Sequence, residues 1–211
     1  MTREVSGQYD IEYARCNCFW GVRPGKYVTF LLDKLQSGTI LDLGAGEGKN
    51  AIALAEKGFN ITAVECSRYA INNFVHRLRT LDESVQNRIK IVQADVASFT
   101  PSEQFNAVIA YGIFHCLDSS KTIRTVVGLM KDSTIPNGYN VIATFVRGLP
   151  VPEVQDYLSP TLLPYGEFIQ MYADWQIEMS ENDILTESHP TSRIEHQHSI
   201  CRILSRRPPD A

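Results

Sequence analysis

The sequence lacks several features that would settle its class early. No apolar run approaches the roughly 20 residues of a membrane-spanning helix, and Met1-Thr2-Arg3-Glu4-Val5 has no hydrophobic centre of the kind a signal peptide needs. The five cysteines, at 16, 18, 66, 116 and 201, are odd in number and form no C-x-x-C pair, so reduced thiols are expected. Basic charge is not in surplus: 20 Lys and Arg face 24 Asp and Glu, a formal charge of −4, which argues against a dedicated binder of nucleic acid or anionic membrane. Neither an internal repeat nor a low-complexity tract occurs. What remains is 211 residues, 44% of them apolar, enough for one domain whose core needs no disulfide or structural metal. The expectation is a cytoplasmic, enzyme-sized domain, monomer or homodimer, without nucleic-acid or membrane partners.

Residues 1–26 read as an irregular segment rich in aromatics and Arg, including Tyr9, Tyr13, Phe19, Trp20 and Arg23. A helix is expected over Tyr27 to Leu35, with Val28, Leu31, Leu32 and Leu35 on one side. From Thr39 onward, apolar strands alternate with helices. Strands are expected at Thr39 to Leu43, Phe59 to Val64, Ile89 to Gln93, Ala107 to Tyr111 and Asn140 to Phe145. Helices are expected near Asn50 to Lys57, Ser67 to Leu81 and Lys121 to Lys131, with a turn at Pro136-Asn137-Gly138. That alternation is the pattern of a parallel sheet covered on both faces. A Pro- and Gly-punctuated insertion occupies about 146–166, a length more often functional than idle. Two further strands, Ile184 to His189 and Ile194 to Ser205, join through Pro190-Thr191-Ser192 and must be antiparallel. The single domain thus runs over 27–207, with a tail at 208–211.

The sharpest motif is Leu41-Asp42-Leu43-Gly44-Ala45-Gly46-Glu47-Gly48-Lys49-Asn50. Alternate glycines let a strand turn tightly into a helix and let a ligand reach the main chain. A dinucleotide fingerprint would need its third Gly where Lys49 stands, and no phosphate-loop motif is present, so a nicotinamide-dependent oxidoreductase is the weaker reading. Asp42, two residues before the first Gly, would repel a pyrophosphate and attract an amino group. Glu65 ends the second strand, where a carboxylate can accept from both ribose hydroxyls, and Asp95 follows the third, where it could accept from an adenine amino group. An amino-acid moiety, a ribose and an adenine without phosphate describe S-adenosylmethionine.

The chain here resembles the class I methyltransferases that use S-adenosylmethionine, and among them the tellurite-resistance methyltransferase group. The resemblance spans roughly Leu35 to Arg206 and is carried by Asp42 to Gly48, Leu54-Ala55-Glu56-Lys57-Gly58-Phe59, Ile135 to Asn140, Trp175, Glu187-Ser188-His189 and Arg193-Ile194. It implies a Rossmann-like α/β fold: a seven-stranded, mostly parallel sheet with helices on both faces and an antiparallel last strand. It also implies in-line methyl transfer to a small-molecule acceptor, either a soft oxyanion, a thiol or another metabolite. A protein that keeps the cofactor site and serves as a sensor or partner subunit is the alternative.

The cofactor-binding residues expected are Asp42, Gly44, Ala45, Gly46, Gly48, Asn50, Glu65, Cys66, Asp95, Val96 and Tyr111. His115, after the fourth strand, stands where such enzymes keep a residue near the transferring methyl. It is a catalytic candidate with His189 and His196. Trp20 and Arg23, as parts of a lid over the site, and His198 are substrate-binding candidates. His196 and His198, two apart on a strand, share a face and would permit a metal pair. With no carboxylate or Cys companion of recognisable spacing, no metal is expected.

Overall fold

The structure, a computed structural model, describes residues 7–155 and 160–209. The Met1 to Val5 reading, part of the 146–166 insertion and the end of the 208–211 tail lie outside them. Seven strands form one sheet in the order β3-β2-β1-β4-β5-β7-β6. They are β1 (Thr39–Leu43), β2 (Asn60–Glu65), β3 (Ile89–Gln93), β4 (Phe105–Tyr111), β5 (Thr134–Phe145), β6 (Gln176–Glu187) and β7 (His196–Arg206). The first five run parallel. β7 is inserted antiparallel between β5 and β6.

Period-two alternation sends the side chains of each central strand to two cores. Leu41, Leu43, Val108, Ala110 and Ile142 pack on one face, against α6 (Ser120–Asp132). Ile40, Ala63, Ile109 and Val141 pack on the other, with Phe74 and Leu78 of α4 (Arg68–Leu78). α6 buries Ile123, Val126, Val127 and Met130, one stripe at helical spacing, and Ser119 caps it by accepting from Thr122 N. Each such side chain contributes about 1.5–3 kcal/mol on full burial.

Several expectations need correction. The N-terminal segment is not irregular throughout, because Gly7–Arg15 form helix α1. Tyr9 and Tyr13, four apart, lie on one face of it and pack with Phe19 and Ala70. Helix α2 (Lys26–Leu32) stops short of Leu35. Pro136-Asn137-Gly138 is not a turn before β5 but an irregularity inside it: Phe105 pairs with Thr134 while Ala107 pairs with Tyr139, and Asn137 takes a positive φ of 63°. β6 begins at Gln176, eight residues before the expected Ile184: its register shifts between Ile177 and Met179, and the polar run Ser180-Glu181-Asn182-Asp183 that follows carries no apolar alternation. Two short helices also went unforeseen, α5 (Glu83–Gln86) and α7 (Tyr165–Met171), the latter burying Phe168 against Phe114. α3 (Lys49–Glu56) follows the glycine turn as expected. Among the described residues no helix is long and apolar enough to cross a membrane.

Candidate active site

The strand order reverses between β1 and β4, and ligand sites of open α/β sheets lie at the carboxyl ends of strands at such a switch point. A cavity of about 270 Å³ opens there. The glycine turn forms its floor. Gly44, Gly46 and Gly48 all take positive φ, at 71°, 55° and 77°, a backbone that other residues adopt only under strain. Gly44 N and Ala45 N both donate to Val64 O, which fixes the turn against the end of β2. Gly48 has a second reason to be glycine, since a Cβ there would collide with the ring of Phe74.

Two carboxylates flank the turn, and their oxygens are satisfied to different degrees. Glu65 is buried and satisfied on one side: Oε2 accepts from Gly46 N at 2.8 Å and Oε1 from Ser67 N at 2.8 Å. It still lines the cavity. Asp42 is buried beneath the turn, 1% exposed, and neither of its oxygens has a hydrogen-bond partner. Burial, and then the Glu65 charge, push its pKa up to about 7, with Lys49 opposing. Asp42, like Gly48, is not among the residues that line the cavity; its orphaned carboxyl lies behind the turn and is short of a donor there.

The N-terminal segment contributes aromatic side chains to the cavity wall. Tyr9, Tyr13 and Trp20 line it, and Trp20 Nε1 donates to Tyr13 Oη at 3.0 Å. Glu47, within the glycine turn, holds this segment down by accepting from Cys18 N at 2.7 Å and Phe19 N at 2.6 Å, and it also accepts from Asn73 at 2.9 Å. Asn50 does the same for the next stretch, its Oδ1 accepting from Gly25 N at 2.9 Å. The turn and the segment over it are thus one hydrogen-bonded unit.

The remaining expected residues divide. Ala45, Cys66, Tyr111 and His115 line the cavity with the turn. His115 is 4% exposed, its Nδ1 lies 3.3 Å from Thr144 Oγ1, and burial lowers its pKa to about 3, so its imidazole is neutral at ordinary pH. Asp95 and Val96 do not line the cavity. Asp95 is exposed and its Oδ1 accepts from Ala97 N at 2.9 Å, while Val96 belongs to the core under α6. Arg23 is exposed and also outside the lining.

The tail histidines are buried together, but only near the cavity rather than in its lining. His189 stacks on Phe19 with ring centroids 4.5 Å apart, and His198 stacks on Phe145 at 3.8 Å. His198 lines a second cavity of about 20 Å³, room for little more than a water. Between them and the main cavity stands Glu187, the carboxylate companion that the histidine spacing lacked. Its Oε1 lies 3.5 Å from His189, 3.8 Å from His196 and 3.4 Å from His198, in each case at Nε2. Glu187 and His196 face each other across the β6–β7 ladder, so the hairpin register would have paired them had it been predicted. Glu47, Tyr13 and Arg202 also line the cavity without having been singled out for it. Arg202 pairs with Glu181 and keeps a buried, unpartnered Nε.

The comparisons with known proteins agree on this architecture. The family model of tellurite resistance protein TehB matches residues 27–198. A probable S-adenosyl-L-methionine-dependent methyltransferase TehB of Haemophilus influenzae is 25% identical over 159 residues, 72% of this chain and 50% of that protein. Hemagglutinin 1 of Eikenella corrodens is 26% identical over 65% of this chain and 43% of its own length. The chain therefore spans about half the length of these curated relatives. The crystal structure of TehB from Haemophilus influenzae superposes with a TM-score of 0.74 at 18% identity, covering 87% of this chain and 62% of that one.

Proposed function

Because the chain belongs to the TehB family of class I S-adenosylmethionine-dependent methyltransferases, we propose that it transfers a methyl group to a small-molecule acceptor held in the cavity beneath its N-terminal segment. The observation that carries this reading is the unsatisfied Asp42 carboxyl under a glycine turn whose Gly46 N is tied to Glu65. When bound, S-adenosylmethionine supplies a methyl group on a sulfonium centre, already activated for in-line displacement. Asp42 and the turn suit its amino-acid part, and Glu65 has oxygen lone pairs left beyond its two backbone donors for ribose hydroxyls. Tyr111, stacked over by Lys49 Nζ at 5.6 Å, walls the opposite side.

The protein's work is then alignment and exclusion of water. Tyr9, Tyr13 and Trp20, pinned through Glu47, act as a lid. His115, held neutral by burial, is too weak a base to deprotonate an acceptor at neutral pH and serves to position it, with Thr144 fixing its ring. Soft anions, such as oxyanions of tellurium or selenium, bring a lone pair that needs no deprotonation, and a thiol reacts as the thiolate fraction already present in solution, so both suit such a site. The test is formation of S-adenosylhomocysteine, followed by mass spectrometry, with tellurite, selenite, small thiols and hydroxylated metabolites as acceptors. Turnover with a soft acceptor supports the reading. Tight cofactor binding without turnover on any of them would instead favour a sensor or partner subunit.

A further inference from the structure

We infer that Glu187, His196 and His198 form a binding site for a divalent transition metal of the zinc class, with an open position on the acceptor side. Their ligand atoms lie within 4.8 Å of one another. Zinc bonds of about 2.0–2.1 Å place tetrahedral ligand atoms roughly 3.3 Å apart. The Glu187–His198 separation, 3.4 Å, already matches, and Glu187–His196, 3.8 Å, is half an ångström longer. Rotation about side-chain torsions closes the rest.

Three independent features separate this cluster from a chance crowding of side chains. The first is the hydrogen bond on the far side of a ligand ring. His196 Nδ1 lies 2.9 Å from Ile194 O, so Nδ1 carries the proton and the Nε2 lone pair is free to accept, with the Gln155 amide 3.2 Å and Glu187 Oε1 3.8 Å away. That is the arrangement metal-ligating histidines use to fix their tautomer. The second is a deficit. Glu187 Oε1 and His198 Nε2 are buried and make no well-formed hydrogen bond, their contacts being the 3.4 Å between them and the 3.5 Å from Oε1 to His189, whereas nearly all buried polar groups in native proteins have a partner. The third is placement: His198 stacks on Phe145, with planes 10° apart, and the backbones of Glu187 and His196 stand opposite each other in the β6–β7 ladder. The Gln155 amide, 3.3 Å from His189 Nε2 and 3.2 Å from His196 Nε2, donates into this cluster and has to turn aside when an ion binds, while His189 adds a further imidazole near the same Glu187 oxygen.

The ligand chemistry narrows the ion. Two imidazoles and one carboxylate, without thiolate, suit Zn²⁺ or Fe²⁺ rather than Cu⁺ or Ca²⁺. Three protein ligands with one position left open mark a site that binds a further molecule rather than a structural one. Because Glu187 also lines the main cavity, that open position faces the space assigned to the acceptor, where a sulfur or oxygen donor could coordinate. This last role rests on the methyl-transfer reading. Metal binding itself does not.

The experiment uses the full chain without an affinity tag, treated with chelator and titrated with Co²⁺ and then Zn²⁺ in the absence of cofactor. One equivalent of Co²⁺ should give visible d–d bands without a thiolate charge-transfer band, and Zn²⁺ should displace it. His196→Gln and His198→Gln should weaken binding by more than the roughly 10–100-fold that loss of an outer partner costs. A Cys16→Ser/Cys18→Ser variant should bind like the parent. Should the histidine variants fail to fold, the parent spectrum and Glu187→Gln carry the decision. Absence of stoichiometric binding overturns the inference, as does a thiolate band that vanishes in the double cysteine variant. Methyl transfer is assayed separately, so an inactive protein that binds one metal would contradict only the proposed function.

Discussion

Glu65 Oε2 accepts a hydrogen bond from Gly46 N at 2.8 Å, so the residue expected to hold a ribose also ties the end of β2 to the middle of the glycine turn. With Ser67 N on its other oxygen, one carboxylate organises two loops before any ligand arrives. Glu65→Ala should therefore act twice. Cofactor affinity should fall roughly ten- to a hundredfold, as charge-assisted hydrogen bonds contribute about 1.5–3 kcal/mol. Stability should fall as well, since two backbone donors lose their acceptor, at about 1–3 kcal/mol each. Calorimetric titration with S-adenosylhomocysteine and a urea unfolding curve measure the two effects. Unchanged affinity in the folded variant would remove Glu65 from the site.

Asp42 predicts the opposite pairing of signs. Its folded pKa near 7 lies above the ordinary 3.8, so its contribution to stability is complete below about pH 4 and is lost as pH rises through about 7. Asp42→Asn removes that loss. The ligand-free variant should match the parent near pH 4 and exceed it at pH 8 by up to the order of 4 kcal/mol, the equivalent of about three pH units. Its affinity for S-adenosylhomocysteine should nevertheless drop. Thermal unfolding across pH 4–8 checks the first point. A variant less stable than the parent at pH 8 would mean that Asp42 is satisfied in solution.

Gly46→Val should abolish cofactor binding while the protein still folds. The φ of 55° opposes a β-branched residue, and its Cβ would stand 3.2 Å from Tyr13 Oη, on the cavity side of the turn. Normal binding in this variant would show that the turn does not cradle the ligand.

Glu47→Ala tests the lid. Removing the acceptor of Cys18 N and Phe19 N should raise amide exchange across residues 16–21 and weaken cofactor binding, with the core strands unaffected. Exchange that stays slow in that stretch would mean that the aromatic packing of Tyr9, Tyr13 and Phe19 suffices to hold the segment.

The parallel half of the sheet was legible because its signals are local. Leu41 and Leu43 alternate with Ile40 and Asp42 in a short apolar run, and the turn after them has no reading other than a close backbone approach. The histidine cluster was only half legible. His196 and His198 share a face by spacing alone, but Glu187 joins them through a hairpin register that one sequence does not specify. Asp95 misled for a different reason. A strand-ending aspartate can reach a ligand or turn back on its own chain, and here it bonds Ala97 N. Helix α1 was hidden because its apolar face is aromatic and packs on Ala70 of α4 instead of continuing the sheet's own rhythm.

The central claim is that the cavity at the switch point binds S-adenosylmethionine through the glycine turn and Glu65. Calorimetric titration of the parent protein and of Gly46→Val with S-adenosylhomocysteine, and of the parent with NAD, tests it most directly. The parent should bind one equivalent of S-adenosylhomocysteine, Gly46→Val none, and NAD should give no heat. Binding of NAD in preference, or undiminished binding of S-adenosylhomocysteine by Gly46→Val, would contradict it.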